Sequence, residues 1–227
     1  MQICLVLLPL VTMQGGKLQI TDTKVGKGAP AQAGDYLTMD YTGTLMNGKK
    51  FDSSIGRAPF SFVLGGGEVI KGWDQGIKGM RVGGKRTLII PSALGYGDVG
   101  AGADIPPKST LKFTVELRKI TRVKKQILKA GHGRSVQAGD SVQVHYIGKL
   151  TDGKKFDSSY DRGQPMPVTV GRGVIPGFTM GLLGMKEGEK RRVTIPSALG
   201  YGERGAGGVI PPNADLVFDL EIVGISR

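Results

Sequence analysis

Hydrophobic and polar residues alternate most regularly in two stretches of the chain. TLKFTVELRKI (110–120) places Leu111, Phe113, Val115 and Leu117 at every second position, and DLVFDLEIVGI (215–225) does the same with Leu216, Phe218, Leu220 and Ile222. A period of two predicts strands that turn one face to a core. Shorter strands are read in YLTMDYTGTL, KRTLIIP, SVQVHYIGKL and KRRVTIP, bounded by turn signals such as Asn47-Gly48 and Asp152-Gly153. Helical spacing is confined to VIKGWDQGIKGM and VIPGFTMGLLGM, where Trp73/Ile77 and Phe178/Leu182 stand four apart. The pattern predicts an α+β fold, a twisted antiparallel sheet packed on one short helix.

The pattern occurs twice. YTGTLMNGKKFDSS (41–54) returns as YIGKLTDGKKFDSS (146–159), and IPSALGYGDVGAGADIPP (90–107) returns as IPSALGYGERGAGGVIPP (195–212), both at an offset of 105 residues. Solenoid modules repeat every ~20–50 residues, so this is a duplicated domain. The expected organisation is an apolar segment at 1–14, a first domain at 15–121, a linker and first-strand region at 122–133, and a second domain at 134–227.

Composition changes this picture little. The 38 glycines fit many turns and short strands. One cysteine, Cys4, and two histidines, His132 and His145, argue against a disulfide framework or a cysteine-built zinc site. The net charge of +12 divides as +6 in each half rather than clustering, which argues for a solvated basic surface over nucleic-acid binding. Residues 3–11 form an apolar run too short to span a bilayer. It has the length of a signal-peptide core, but no Lys or Arg precedes it; Met13 as an alternative start is the competing reading. Localisation is accordingly expected to be cytoplasmic, or the secretory pathway if residues 1–13 are a signal.

Neither copy of the Tyr and Asp motifs brings a histidine base to a nucleophile, since Asp40 stands where copy two has His145, and His145 is read as structural. Gly65-Gly66-Gly67 lacks the Gly-Lys-Ser/Thr ending of a phosphate loop. What recurs is aromatic and aliphatic, with Asp52/Asp157 as the only ionisable pair recognised directly beside it. An apolar concavity carrying a few fixed polar groups is the form of a ligand pocket.

Both copies follow, with single-residue departures, the ordered motifs VHYTGxLxxGxxFDSS, VIxGWxxGxxGM and ALGYG…GxxIPPxxxLxF, and so resemble the FKBP-type peptidyl-prolyl cis-trans isomerases, the macrolide-binding family. The resemblance runs from about Lys17 to the end of the chain. It implies a β half-barrel wrapped around a short helix, a pocket between them, and rotation about Xaa-Pro bonds without cofactor or metal. It further implies Trp73 as the pocket floor, with Tyr41, Phe51, Phe60, Val69, Ile70 and Phe113 as walls. Asp52 and the Tyr96 hydroxyl are the implied polar contacts, the Ile70 N–H an implied donor, and Ile105 the rim. The matching second set is Tyr146, Phe156, Asp157, Val174, Ile175, Phe178, Tyr201, Val209, Ile210 and Phe218.

Copy two departs from the family pattern. Phe178 stands where the family has Trp, Met166 replaces Phe60, and Val168 replaces Phe62, while copy one carries Asp104 where copy two has Val209. The first domain is therefore expected to be the more active. The alternative is a chaperone-like client-binding scaffold, with weak or no turnover in domain two. Expected partners are proline-containing polypeptides and macrolides; a monomer without a membrane span or nucleic-acid partner is expected.

Overall fold

The computed structural model describes residues 16–226; the apolar run at residues 3–11 lies outside them. The first half contains β1 (Gln19–Lys24), β2 (Tyr36–Leu45), β3 (Lys50–Ser53), β4 (Phe60–Val63), α1 (Lys71–Gly76), β5 (Lys85–Ile90) and β6 (Leu111–Thr121). The second half follows with β7 (Lys124–Lys129), β8 (His132–Ser135), β9 (Ser141–Leu150), β10 (Lys155–Ser158), β11 (Met166–Thr169), α2 (Pro176–Leu182), β12 (Lys186–Glu187), β13 (Lys190–Ile195) and β14 (Leu216–Ser226). The first sheet runs β1-β5-β6-β2-β3 with β4 also on β2; the second runs β7-β13-β14-β9-β10 with β11 on β9. All these pairings are antiparallel, and β8 with β12 forms a separate two-stranded ribbon.

Residues 122–133 are mostly strand. Only Arg122 and Val123 separate β6 from β7, and β7 is the edge strand of the second sheet, so that sheet begins at Lys124.

The alternation in sequence reappears as burial. Leu111, Phe113, Val115 and Leu117 on β6 and Leu216, Phe218, Leu220 and Ile222 on β14 are all buried, with the residues between them, all polar but Val217, on the more exposed face. Each such side chain contributes roughly 1.5–3 kcal/mol when fully buried. The helices lie close on their sheets because glycine permits it. A Cβ at Gly72 of α1 would fall 2.4 Å from Ile90 Cγ2, and one at Gly177 of α2 would fall 2.2 Å from Ile195 Cγ2. That close approach brings Trp73 and Phe178 down onto β6 and β14.

The two halves also dock on each other. Val63, at the end of β4, is fully buried, yet it packs in the core of the second half, with Tyr36 and Val123 beside it. A Cβ at Gly171 would fall 2.1 Å from the Gly66 carbonyl oxygen, so backbone meets backbone across the junction. Arg122 fastens the connection by donating from Nε and Nη2 to Asp35, each at 2.7 Å.

Candidate functional site

In the first domain a cavity of about 670 Å³ opens between α1 and the sheet. Its lining includes all ten first-copy candidates: Tyr41, Phe51, Asp52, Phe60, Val69, Ile70, Trp73, Tyr96, Ile105 and Phe113. Trp73 is the hub. Its ring lies 5.3 Å from Tyr41 and from Phe113 and 6.0 Å from Phe60, each edge-to-face, and 5.7 Å from Phe62, tilted. Edge-to-face pairs place a positive ring edge on a negative face, so the set is held more firmly than burial alone would hold it. Trp73 is itself buried, whereas Tyr96 and Phe60 stand partly exposed at the rim.

The polar part of the site is a network centred on Asp52. The Tyr41 hydroxyl donates to Asp52 Oδ2, while Asp52 Oδ1 accepts from Arg57 Nη2 at 2.6 Å and from the Ser53 N–H at 2.8 Å. The hydrogen bond from Tyr41, joined by those from Arg57 and Ser53, holds the Asp52 carboxyl below its usual range. Burial, together with the hydrogen bond to Asp52, pushes the Tyr41 hydroxyl up to about 12. Asp52 thus stays charged and Tyr41 stays protonated across the neutral range. Because the folded-state value of Asp52 is depressed, its contribution to stability is present above the ordinary carboxylate range and is lost as pH falls through its lowered value. Tyr41→Phe is expected to move the Asp52 carboxyl upward, toward the ordinary carboxylate range, in a carbon-detected NMR titration. An Asp52 titration unchanged by the substitution would show that Arg57 sets it instead.

The second domain repeats this arrangement in a smaller cavity of about 470 Å³, lined by Tyr146, Phe156, Asp157, Met166, Gly173, Val174, Ile175, Phe178, Tyr201 and Phe218. Phe178 forms edge-to-face contacts with Tyr146 at 5.8 Å and Phe218 at 5.3 Å. The Tyr146 hydroxyl donates to Asp157, and Arg162 donates both to Asp157 Oδ1 at 2.7 Å and to the Tyr146 oxygen at 2.6 Å. Arg162 also lies over the Tyr146 ring, 5.5 Å from its centre. Burial raises the Asp157 carboxyl, but the bonds from Tyr146 and Arg162 outweigh it and the net shift is downward.

Two of the second-copy candidates are not brought to that cavity. Val209 turns outward and is half exposed, whereas Ile210, as buried as Ile105 and bridged to Ala206 as Ile105 is to Ala101, keeps the same place in its loop beside a cavity that stops short of it. The first cavity extends over its 100s loop through Ala101, Gly102, Asp104 and Ile105; the second ends at Tyr201.

The arginines escaped the sequence reading. Arg57 and Arg162 recur at the same offset of 105, five residues after each aspartate, so the repeat itself carried the signal. Glu68 also lines the first cavity unanticipated; its counterpart is Gly173, so the repeat hid it. His145, replacing Asp40, bonds Ser159 Oγ through Nδ1 at 3.0 Å and stacks on Tyr160 with ring centres 4.3 Å apart, outside the cavity.

The profile of the family described as FKBP-type peptidyl-prolyl cis-trans isomerase matches the chain twice, over residues 27–118 and 132–223. Peptidyl-prolyl cis-trans isomerase FKBP10 of Homo sapiens is 45% identical over 202 residues, which cover 86% of this chain and 35% of that protein. Peptidyl-prolyl cis-trans isomerase FKBP9 of Homo sapiens is 42% identical over 200 residues, covering 85% and 35%. The chain therefore spans about a third of the length of these relatives. FK506-binding protein 1A of Neurospora crassa is 56% identical over 102 residues, 44% of this chain and 85% of that protein. Among solved structures, the three FKBP domains of wheat FKBP73 align with a TM-score of 0.46 at 26% identity, covering 92% of this chain and 94% of that one. With the profile matched along most of its length in two successive stretches, this chain belongs to the FKBP-type peptidyl-prolyl cis-trans isomerase family.

Proposed function

We propose that the chain catalyses cis-trans rotation about Xaa-Pro bonds in proline-containing polypeptides. The observation that carries this is the first cavity: a Trp73 floor, aromatic walls, and a polar network fixed in one protonation state. Rotation faces a barrier of ~18–20 kcal/mol because the C–N bond is partly double. At the twisted transition state amide resonance is lost, and the carbonyl and nitrogen carry less separated charge than in the planar amide. An apolar cavity therefore suits the twisted form better than the planar one, which is differential binding of the transition state. Trp73 supports the proline ring, Phe60 and Phe113 shield the rotating bond from water, and Tyr41 with Asp52 supplies the polar contact. The Ile70 N–H is the donor that orients the substrate carbonyl.

The test is an isomerisation assay on a proline tetrapeptide with the whole chain, read by NMR exchange. The rate constant kcat/KM is expected to be flat from about pH 6.5 to about pH 9, since Asp52 ionises well below that window and Tyr41 only at about 12. A bell-shaped profile centred near neutrality would indicate a proton-transfer step and overturn the mechanism.

The same cavity is proposed to accept macrolides of the type named for FK506-binding protein 1A, competitively with peptide. The first domain is the principal catalyst, because its cavity is larger and more aromatic. The smaller second cavity, with Phe178 and Met166 in place of Trp73 and Phe60, favours a second role there: holding client chains with little turnover.

A further inference from the structure

The two cavities differ in the charge at their mouths as well as in their floors. Three carboxylates line the first, Asp52, Glu68 and Asp104, and no lysine or arginine does. Asp52 is committed to Tyr41 and Arg57. Asp104 meets Lys49 at 3.0 Å, but the two side chains are 62% and 53% exposed, so the pair is screened and a ligand cation can exchange for Lys49. Glu68 accepts from the Val63 N–H at 3.4 Å and has no ion-pair partner among the described residues. In the second domain the corresponding positions are Gly173 and Val209, and the one carboxylate lining that cavity, Asp157, is paired with Arg162.

The chain as a whole carries +12, whereas the charged groups at the first mouth, three carboxylates with Lys49 and Arg57 paired to two of them, leave one negative charge in excess. At physiological salt the distant positive charges are screened beyond ~8 Å, whereas charges beside low-dielectric walls act on whatever enters. Carboxylates at the aperture, within roughly 8–10 Å of a ligand charge, favour a cation over an anion by about tenfold at low salt.

We propose that Glu68 and Asp104 make the first domain selective for segments carrying lysine or arginine beside the Xaa-Pro bond, while the second domain takes segments with uncharged neighbours. This rests on the isomerase reading of the same cavity. It makes the duplicated pockets complementary in the segments they accept, rather than redundant.

The test uses the full chain and three tetrapeptides that differ only before proline, with Lys, Leu or Glu there. Turnover is read together with binding, the latter from the fluorescence of Trp73, the only tryptophan in the chain. The Lys peptide is expected to exceed the Glu peptide about tenfold in both kcat/KM and affinity at low salt, and the ratio to fall toward one above about 0.5 M salt. In Asp104→Val combined with Glu68→Gln, the ratio is expected to drop to about two or less. Equal affinity for the Lys and Glu peptides in the unaltered chain would overturn the inference, and so would a preference that neither salt nor the double substitution moves. Tenfold preferential binding without turnover of any peptide would instead overturn the isomerase reading and leave the charge selection standing.

Discussion

Trp73→Leu in the full chain is expected to lower total isomerase activity at least about tenfold and to destabilise the first domain by about 2–4 kcal/mol. The indole is buried and meets four other rings, so its removal leaves both a void and partners without their edge-to-face contacts. Leucine refills only part of that space. On the proposed mechanism the activity loss has a separate origin, since the floor is the surface against which the twisted proline is held. Phe178→Leu is the paired control and is expected to cost total turnover less than twofold. Urea denaturation of both variants, with NMR exchange at temperatures where each remains folded, separates lost stability from lost catalysis. Should Phe178→Leu remove most of the activity, the second domain would be the principal catalyst. The full chain is the right object, because Val63 of the first half is buried in the core of the second and dividing the chain would expose it.

Glu189→Gln is expected to destabilise the second domain by about 3–5 kcal/mol, toward the lower figure because the amide oxygen can still accept one bond. Glu189 and Arg191 are both almost fully buried. Arg191 donates from Nε to Glu189 at 2.8 Å and from Nη1 to the carbonyls of Gly181 and Leu183 at 2.9 and 3.1 Å, which ties β13 to the end of α2. Without the carboxylate a buried guanidinium keeps its charge and loses its counterion. The first domain offers the comparison. Arg86 makes the equivalent bonds to the carbonyls of Gly76 and Lys78, but its carboxylate, Asp22, is 44% exposed on β1. Asp22→Asn is therefore expected to cost less, about 1–3 kcal/mol: Arg86 is buried like Arg191, but its partner's side is open, so water and the asparagine oxygen can replace part of what the carboxylate gave. Hydrogen exchange of the β13 amides reads the second domain directly, whereas Trp73 fluorescence would report the first. A loss at Glu189→Gln no larger than at Asp22→Asn would show that burial does not decide the cost here.

The central strands were legible because each buries one face, and their period of two survives intact from sequence to structure. The edge strands were not. Every residue of β7, KKQILK, is exposed, so no side-chain periodicity marks it; its place comes from backbone pairing with β13. The docking of the halves left a trace that only a comparison of copies reveals. Val63 and Tyr36, paired across β4 and β2, correspond to Thr169 and Ser141, paired across β11 and β9. Apolar residues in one copy against exposed polar residues in the other mark a surface that only one copy covers. The pocket walls were legible because the repeat duplicates them, and Arg57 and Arg162 could have been found in the same way. Glu68 could not, because nothing recurs at its position, and the outward turn of Val209 could not, because an aliphatic residue at that position reads as part of a wall.

The different origin of the two arginine partners bears on how a chain made of near-copies assembles itself. Sequences this alike can exchange strands during folding, with β1 and β7 as the exposed candidates at the edges of their sheets. In the native register Asp22 lies opposite Arg86, and Ile127 lies opposite Arg191. An exchange would set Ile127 beside Arg86, which has Gly84 where the second copy has Glu189 and would keep a buried cation with no carboxylate. It would also bring Asp22 against Glu189, adding a second negative charge to a pair already neutral. Each half thus recognises its own edge strand by charge, and the misassembled chain is disfavoured by several kcal/mol before any side chain in the pockets has packed.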